Sequence, residues 1–312
     1  MKIAVLGAGA MGMLFGGYLS EHNDVLLVEI DEERRKRINR DGVLVREKDG
    51  ERHFFPKATA DAKDFGTADL VLVFVKAMFT LDALAANRCL IGKDTYLMTL
   101  QNGAGHEAKL LKFADRSHII IGSTQHNSSI IENGVVQHGG TGLTSIGLLN
   151  GHSEILEPIA KNLTDCGLVC VTSNEVKKQI WTKLFTNTAA SALTAVLQVP
   201  LGYLVENEDA HRLMRALCNE AVAVANAEGI AQFDPDEAFR CVERVCANAK
   251  NGYTSIYADI KAGRRTEVDT ISGSVVEAAE QYGIAVPVHK TIVALIHALE
   301  RKPKESVKER VV

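Results

Sequence analysis

Short apolar runs alternate with helical stretches through the first half of the chain, and the alternation stops near residue 173. The strand candidates are KIAVLG from Lys2, DVLLVEI from Asp24, LVLVFV at 70–75, YLMTL at 96–100 and HIIIGS at 118–123. Between them EERRKRINRDG, TLDALAANRCL and GHEAKLLKFA read as helices. Repeated short β followed by α predicts a parallel sheet covered on both faces. VLVREKDGERHFF predicts a small hairpin turning at Asp49–Gly50. NGVVQHGGTGLTSIGLLN, rich in glycine and β-branched residues, predicts an antiparallel strand pair closing the sheet, and GLVCVTS at 167–173 predicts one more strand.

Beyond residue 173 the pattern turns helical, over 175–197, 208–228, 236–249, 267–282 and 288–300. Stops and starts fall at Gly229, Asp234–Pro235, Gly263, Gly283 and Pro287. The expected class is α/β: a Rossmann-type N-terminal domain over 1–172, then an all-helical C-terminal domain over 173–312. A ligand on the first domain is expected to face a cleft beside the second.

Candidate chemistry begins at KIAVLGAGAMG, where glycines 7, 9 and 12 follow a strand and open a helix. Gly7 permits the tight turn, Gly9 lets the backbone approach a pyrophosphate, and Gly12 lets the helix pack closely on the strand. Ala8, Ala10 and Met11 complete the turn, and the helix N-terminus offers amides to phosphate. The second strand ends at Glu29, 22 residues after Gly7, placed to hydrogen-bond the adenosine ribose.

Composition narrows the picture mainly by exclusion. The 312 residues are 46% hydrophobic and 24% charged, and the net charge of -4 gives no case for nucleic acid or an anionic membrane as partner. The apolar run after Lys2 is broken by glycine and does not read as a signal peptide, so a cytoplasmic location is expected. Six scattered cysteines at 89, 166, 170, 218, 241 and 246 show no metal spacing and read mostly as buried free thiols. No metal is expected. The apolar C-terminal helix VHKTIVALIHALE leaves monomer and homodimer both open.

The second informative stretch is QIWTKLFTNTAASALTAVL, where Lys183, Asn187 and Ser191 stack four apart on one polar face of an apolar helix. SIYADIKAGRRTEVDTISG adds Ser255, Asp259 and Glu267 around a glycine break and a new helix start. With GAGAMG, VFVKA, LQNGAGHE and GSTQHNSSIIENGVVQHGGTG, these segments resemble the ketopantoate reductase family (2-dehydropantoate 2-reductases) over most of the chain. The resemblance implies NAD(P)H-dependent reduction of a 2-oxo acid to a D-2-hydroxy acid. It makes Lys183 the catalytic lysine and Glu267 the active-site glutamate that orients substrate. It makes Asn187, Ser191 and Ser255 substrate-binding and Asp259 supporting; Asn102 lies near the nicotinamide ribose, and Lys76 can help to bind an NADPH phosphate. His126 falls on a common family histidine without an assigned role.

Structural readings stand beside these: a solvated lysine at 183, a helix-initial acid at 267, a helix cap at Ser255 and a surface ion pair at Asp259. Two departures from the family pattern bear on specificity. Ser191 stands where asparagine is frequent, which opens the pocket to bulkier or less hydroxylated 2-oxo acids; Gly252 likewise replaces a polar amide of some members. Ile30 stands where NADPH-using members carry arginine, and Glu29 precedes it, so NAD(H) is favoured; Arg34, Arg35 and Lys76 keep NADP(H) open. The alternative reading is an NADH-dependent D-2-hydroxyacid dehydrogenase acting on branched or aromatic 2-oxo acids, and the remote one is a non-catalytic NAD-binding sensor.

Overall fold

The computed structural model describes residues 1–150 and 152–302. Contacts divide the chain into two compact units: Met1–Gln101 with Gly105–Gln179, and Asn102–Ala104 with the chain from Ile180 onward. The change in pattern near residue 173 precedes this division, which falls inside a long helix.

The first unit contains β1 (Lys2–Leu6), α1 (Ala10–Leu19), β2 (Asp24–Val28), α2 (Glu32–Asp41), β3 (Val43–Glu47), β4 (Gly50–Phe54), β5 (Lys57–Thr59) and β6 (Leu70–Val73). It continues with α3 (Thr80–Ala86), β7 (Tyr96–Thr99), α4 (Glu107–Leu110), β8 (Ile119–Thr124), β9 (Asn127–Glu132), β10 (Val135–Gly140), β11 (Thr144–Leu148), α5 (Glu157–Asp165) and β12 (Cys170–Thr172). Eight strands form one sheet in the order β12-β11-β8-β7-β6-β1-β2-β5. The six from β5 to β8 are all parallel and run in the 3-2-1-4-5-6 order of a dinucleotide-binding fold. Their runs are buried on both faces, as the pattern of continuous apolar residues requires.

The closing strands depart from the sequence expectation. β11 pairs antiparallel with β8, and β12 adds in parallel to β11. β10 does not pair with β11. It pairs in parallel with β3 and antiparallel with β9, inside a separate four-stranded sheet β4-β3-β10-β9. β-Branched Val135 and Val136 mark β10 as a strand but carry no information about a partner 91 residues away. The β3–β4 hairpin forms as expected, but Glu47 pairs with Gly50, so the turn is Lys48–Asp49, one residue earlier than the Asp-Gly rule places it. GHEAKLLKFA condenses to the single helical turn of α4.

A buried polar chain ties α1 to the small sheet. Tyr18 of α1 donates to Glu47, His138 Nδ1 bonds Glu47 Oε2 at 2.9 Å, and His138 Nε2 lies 3.0 Å from His126 Nδ1. Burial, reinforced by Glu47, pushes the Tyr18 phenol up to about 12, so it stays a donor. Burial and the neighbouring His138 push His126 down, keeping it neutral. His126 thus has a place in the core of the first unit.

The second unit contains α6 (Val176–Leu197) from Ile180 on, α7 (Tyr203–Glu206), α8 (Glu208–Ala227), α9 (Pro235–Asn248), α10 (Ser255–Lys261), α11 (Val268–Tyr282) and α12 (Pro287–Glu300). Caps set the starts: Asn207, Asp234 and Thr254 accept from the amides of Ala210, Glu237 and Tyr257. Trp181, Leu184, Phe185 and Leu193 of α6 join Met214, Leu217, Phe239, Ile271 and Ile296 in one core. Glu220 of α8 accepts from the amides of Val288 and His289 at 2.9 Å and from His289 Nδ1 at 2.8 Å, pinning the start of α12. Among the described residues, no helix is long and apolar enough to cross a membrane. Cys166, Cys170, Cys218 and Cys246 are buried free thiols; Cys89 is exposed and Cys241 half-buried.

Candidate functional site

The glycine turn lies at the carboxyl end of β1, beside β6, where the strand order reverses and α/β sheets bind ligands. Gly7 has φ +96°, and a Cβ there would sit 2.9 Å from the Val75 amide nitrogen. A Cβ on Gly12 would sit 1.8 Å from the Gly7 carbonyl oxygen, so only glycine lets α1 start against the turn. Gly9 meets no atom within 4 Å of its Cβ position, which leaves the outer side of the turn open. Gly9 caps α1 without a side chain. Ala10 opens the helix, Met11 packs partly buried on the core, and buried Ala8 turns its amide inward. An open outer face, a bare helix start and a switch-point location fit a dinucleotide pyrophosphate. Lys76 lies three residues past the end of β6 and directly follows Val75, whose amide faces Gly7.

Glu29 is 7% exposed and already engaged. Its Oε2 accepts from the Ala8 amide at 3.1 Å and from Arg34 Nη1 at 2.9 Å, and its Oε1 accepts from the Asp31 amide at 2.9 Å. Arg34 Nε also reaches Asn133 Oδ1 at 3.3 Å, and Arg35 Nη1 donates to the carbonyls of Glu29 and Ile30. A carboxylate offers about four acceptor sites, and three are filled, so room remains for one ribose hydroxyl. Sequence spacing identifies the carboxylate but not the arginine that neutralises part of its charge. Ile30 is 89% exposed beside it.

In the second unit, Lys183, Asn187 and Ser191 share one face of α6. Lys183 and Asn187 are half-buried and Ser191 is buried. Burial pushes the Lys183 ammonium below its ordinary lysine value. The Ser191 carbonyl accepts from Thr254 Oγ1 at 3.1 Å, which ties the start of α10, where Ser255 follows Thr254, to this helix. Thr254, not Ser255, is the cap; Ser255 is the first helical residue and is exposed. This removes the capping explanation for Ser255, and Thr254 is a supporting residue that the sequence reading misses.

Asp259 is 9% exposed and accepts from Arg264 Nε at 2.8 Å, closing the glycine break before α11. Glu267 stands at the N-cap of α11, yet its side chain makes no capping bond. Its carbonyl accepts from the Thr270 and Ile271 amides, fixing the backbone. Gly103 abuts the same turn: a Cβ there would lie 1.8 Å from the Thr270 carbonyl oxygen. Asn102 is thereby held next to the helix that Glu267 opens. Among the described residues, no group of three or more metal-ligating side chains exists.

The family description "Ketopantoate reductase PanE/ApbA" matches residues 3–151, and "Ketopantoate reductase PanE/ApbA C terminal" matches 175–300. The chain is 32% identical to a 2-dehydropantoate 2-reductase of Halobacterium salinarum, over 96% of this chain and 99% of that one. It is 30% identical to one of Lactococcus lactis, over 96% and 98%. Among solved structures it resembles a D-mandelate dehydrogenase with NADH and anilino(oxo)acetate, at 31% identity and TM-score 0.90 over 96% and 98% of the chains. A ketopantoate reductase from Ralstonia eutropha follows at 28% and TM-score 0.88, over 96% of this chain and 98% of that one. Both halves of the chain match in order and the relatives align end to end: this protein belongs to the ketopantoate reductase family.

Proposed function

We propose that the chain is an NAD(P)H-dependent reductase of 2-oxo acids, producing D-2-hydroxy acids, with 2-dehydropantoate as the first candidate substrate. The observation that carries this reading is a lysine made less basic by burial on the polar face of α6, sharing that face with Asn187 and Ser191 and tied through Thr254 to Ser255. Asn187, Ser191 and Ser255 supply amide and hydroxyl groups for the substrate carboxylate and neighbouring oxygens. Glu267 orients the substrate, Asp259 supports the loop that carries it, and Asn102 holds the nicotinamide ribose. Bound nicotinamide supplies the hydride. Lys183 stabilises the negative charge growing on the carbonyl oxygen and gives it a proton.

A second reading shares this mechanism but takes branched or aromatic 2-oxo acids. Two observations favour it: Ser191 is shorter than the asparagine frequent in the family, and a D-mandelate dehydrogenase is among the similar structures at TM-score 0.90.

The cofactor follows from Glu29 and Arg34. NADH places ribose hydroxyls against the remaining acceptor of Glu29, whereas a 2′-phosphate meets that carboxylate and requires Arg34 to leave it. NADH is therefore the better cofactor, by about tenfold in kcat/KM, or ~1.4 kcal/mol. Glu29→Gln keeps an acceptor but removes the charge, so it narrows the ratio. Steady-state rates with both cofactors test this; a parent enzyme that prefers NADPH rules the assignment out.

A further inference from the structure

We propose that Glu300, the last residue of α12, is a positioning residue for Glu267, acting through Thr266. The inference rests on the reading above that Glu267 orients the substrate.

An acid in the last turn of a helix is poorly placed, because the carbonyl end of the helix is already negative. Glu300 nevertheless occupies that position with its side chain only 11% exposed. Its bonds give the reason. One oxygen, Oε1, accepts both donors of Thr266, the amide at 2.7 Å and the hydroxyl at 2.7 Å. Thr266 is 1% exposed, so its amide has no ready alternative in water. The Thr266 hydroxyl in turn accepts from the Val268 amide at 3.2 Å. The other oxygen of Glu300 bonds His297 Nδ1 at 2.9 Å, and His297 Nε2 reaches Asp269 Oδ1 at 2.9 Å.

Glu267 thus lies between two residues whose amides are both tied to this cluster, and Asp269 adds a third tie two positions on. The Glu300 carboxylate, from a helix that otherwise lies outside the proposed site, thus holds the Glu267 backbone directly on the Thr266 side and, through the Thr266 hydroxyl, indirectly on the Val268 side. Adjacent Cα atoms are about 3.8 Å apart, so displacement of Thr266 passes directly to Glu267. A shift of about 1 Å in a substrate-orienting group costs on the order of 100-fold in rate.

Glu300→Ala removes the acceptor from both Thr266 donors. The expected result is a kcat lowered about 10- to 100-fold with an NADH dissociation constant within about twofold of the parent, a change of ~0.4 kcal/mol at most. Glu300→Gln keeps Oε1 as acceptor, while its amide can donate to His297 Nδ1 once the ring proton moves to Nε2, facing Asp269. That variant is expected to recover kcat to within about threefold of the parent. A purely structural role would lower the melting temperature of Glu300→Ala without moving kcat or the 2-oxo acid KM; both parameters within about twofold of the parent overturn the proposal. If Glu300→Ala does not accumulate folded, Thr266→Ser against Thr266→Val reads the same link. The serine variant should match the parent and the valine variant should lose at least about fivefold in kcat; equal rates overturn the proposal. Glu267→Gln is measured alongside. An unchanged rate there removes the underlying role of Glu267, whereas a large loss there with none in Glu300→Ala removes only the positioning link.

Discussion

Replacing Lys183 with alanine is expected to lower kcat for 2-oxo acid reduction by about 10³-fold, with NADH affinity within about twofold of the parent. Loss of a general acid costs about 10²–10⁴-fold, and loss of a donor aimed at a developing oxyanion costs about 10²–10³-fold; in the proposed mechanism one ammonium serves both roles, so the losses are not additive. Lys183→Arg recovers little, because a guanidinium keeps the charge but does not release its proton near neutral pH. The pH profile adds a second reading. The ammonium must be protonated to act, and burial lowers its pKa from the ordinary lysine value. The rate of reduction is therefore full at low pH and falls as pH rises through the lowered value, earlier than an ordinary lysine would allow. Stopped-flow reduction across roughly pH 6 to 10 checks the limb. A Lys183→Ala enzyme that retains the limb and the rate contradicts the role.

Replacing Gly12 with alanine is expected to weaken NADH binding by about 30-fold or more, equivalent to ~2 kcal/mol. The added carbon would lie 1.8 Å from the Gly7 carbonyl oxygen, and the obstacle is backbone that cannot swing aside. Either the turn opens or α1 moves off the end of β1, and both displace the amides proposed to receive the pyrophosphate. Gly9→Ala is the informative contrast. Its new carbon meets no protein atom within 4 Å, so the melting temperature should hold while cofactor affinity drops through crowding of the ligand alone. Fluorescence titration with NADH, paired with thermal melts, separates the two. Parent-like affinity in Gly12→Ala would contradict the placement of the cofactor on this turn.

The parallel strands and the long helices were legible because their apolar periods are strong and local. β9 was not, since five of its six residues are exposed and NSSIIE shows no alternation. β5 is only three residues long, and α10 is too short to establish a helical period. The partner of β10 was hidden because register with β3 is a tertiary fact, not a property of either segment. In the site, four-residue spacing placed Lys183, Asn187 and Ser191 on one face, and family resemblance supplied their proposed roles. The groups that hold the site were invisible for the same reason as the sheet pairing. Thr254 meets Ser191 across 63 residues and Glu300 meets Thr266 across 34, and a terminal helix acid reads in sequence as a solvated one. In sequence Arg34 is only a cation five residues from Glu29; its bond to Glu29 shows how the two charges are balanced.

The reduction itself is tested by following NADH oxidation with 2-dehydropantoate, 2-oxoisovalerate, 2-oxoisocaproate and phenylglyoxylate, and by assigning the configuration of each product. Turnover of at least one of these acids to its D-2-hydroxy product, abolished by Lys183→Ala, is the expected result; protein that binds NADH but oxidises it with none of them, or yields the L product, would contradict it.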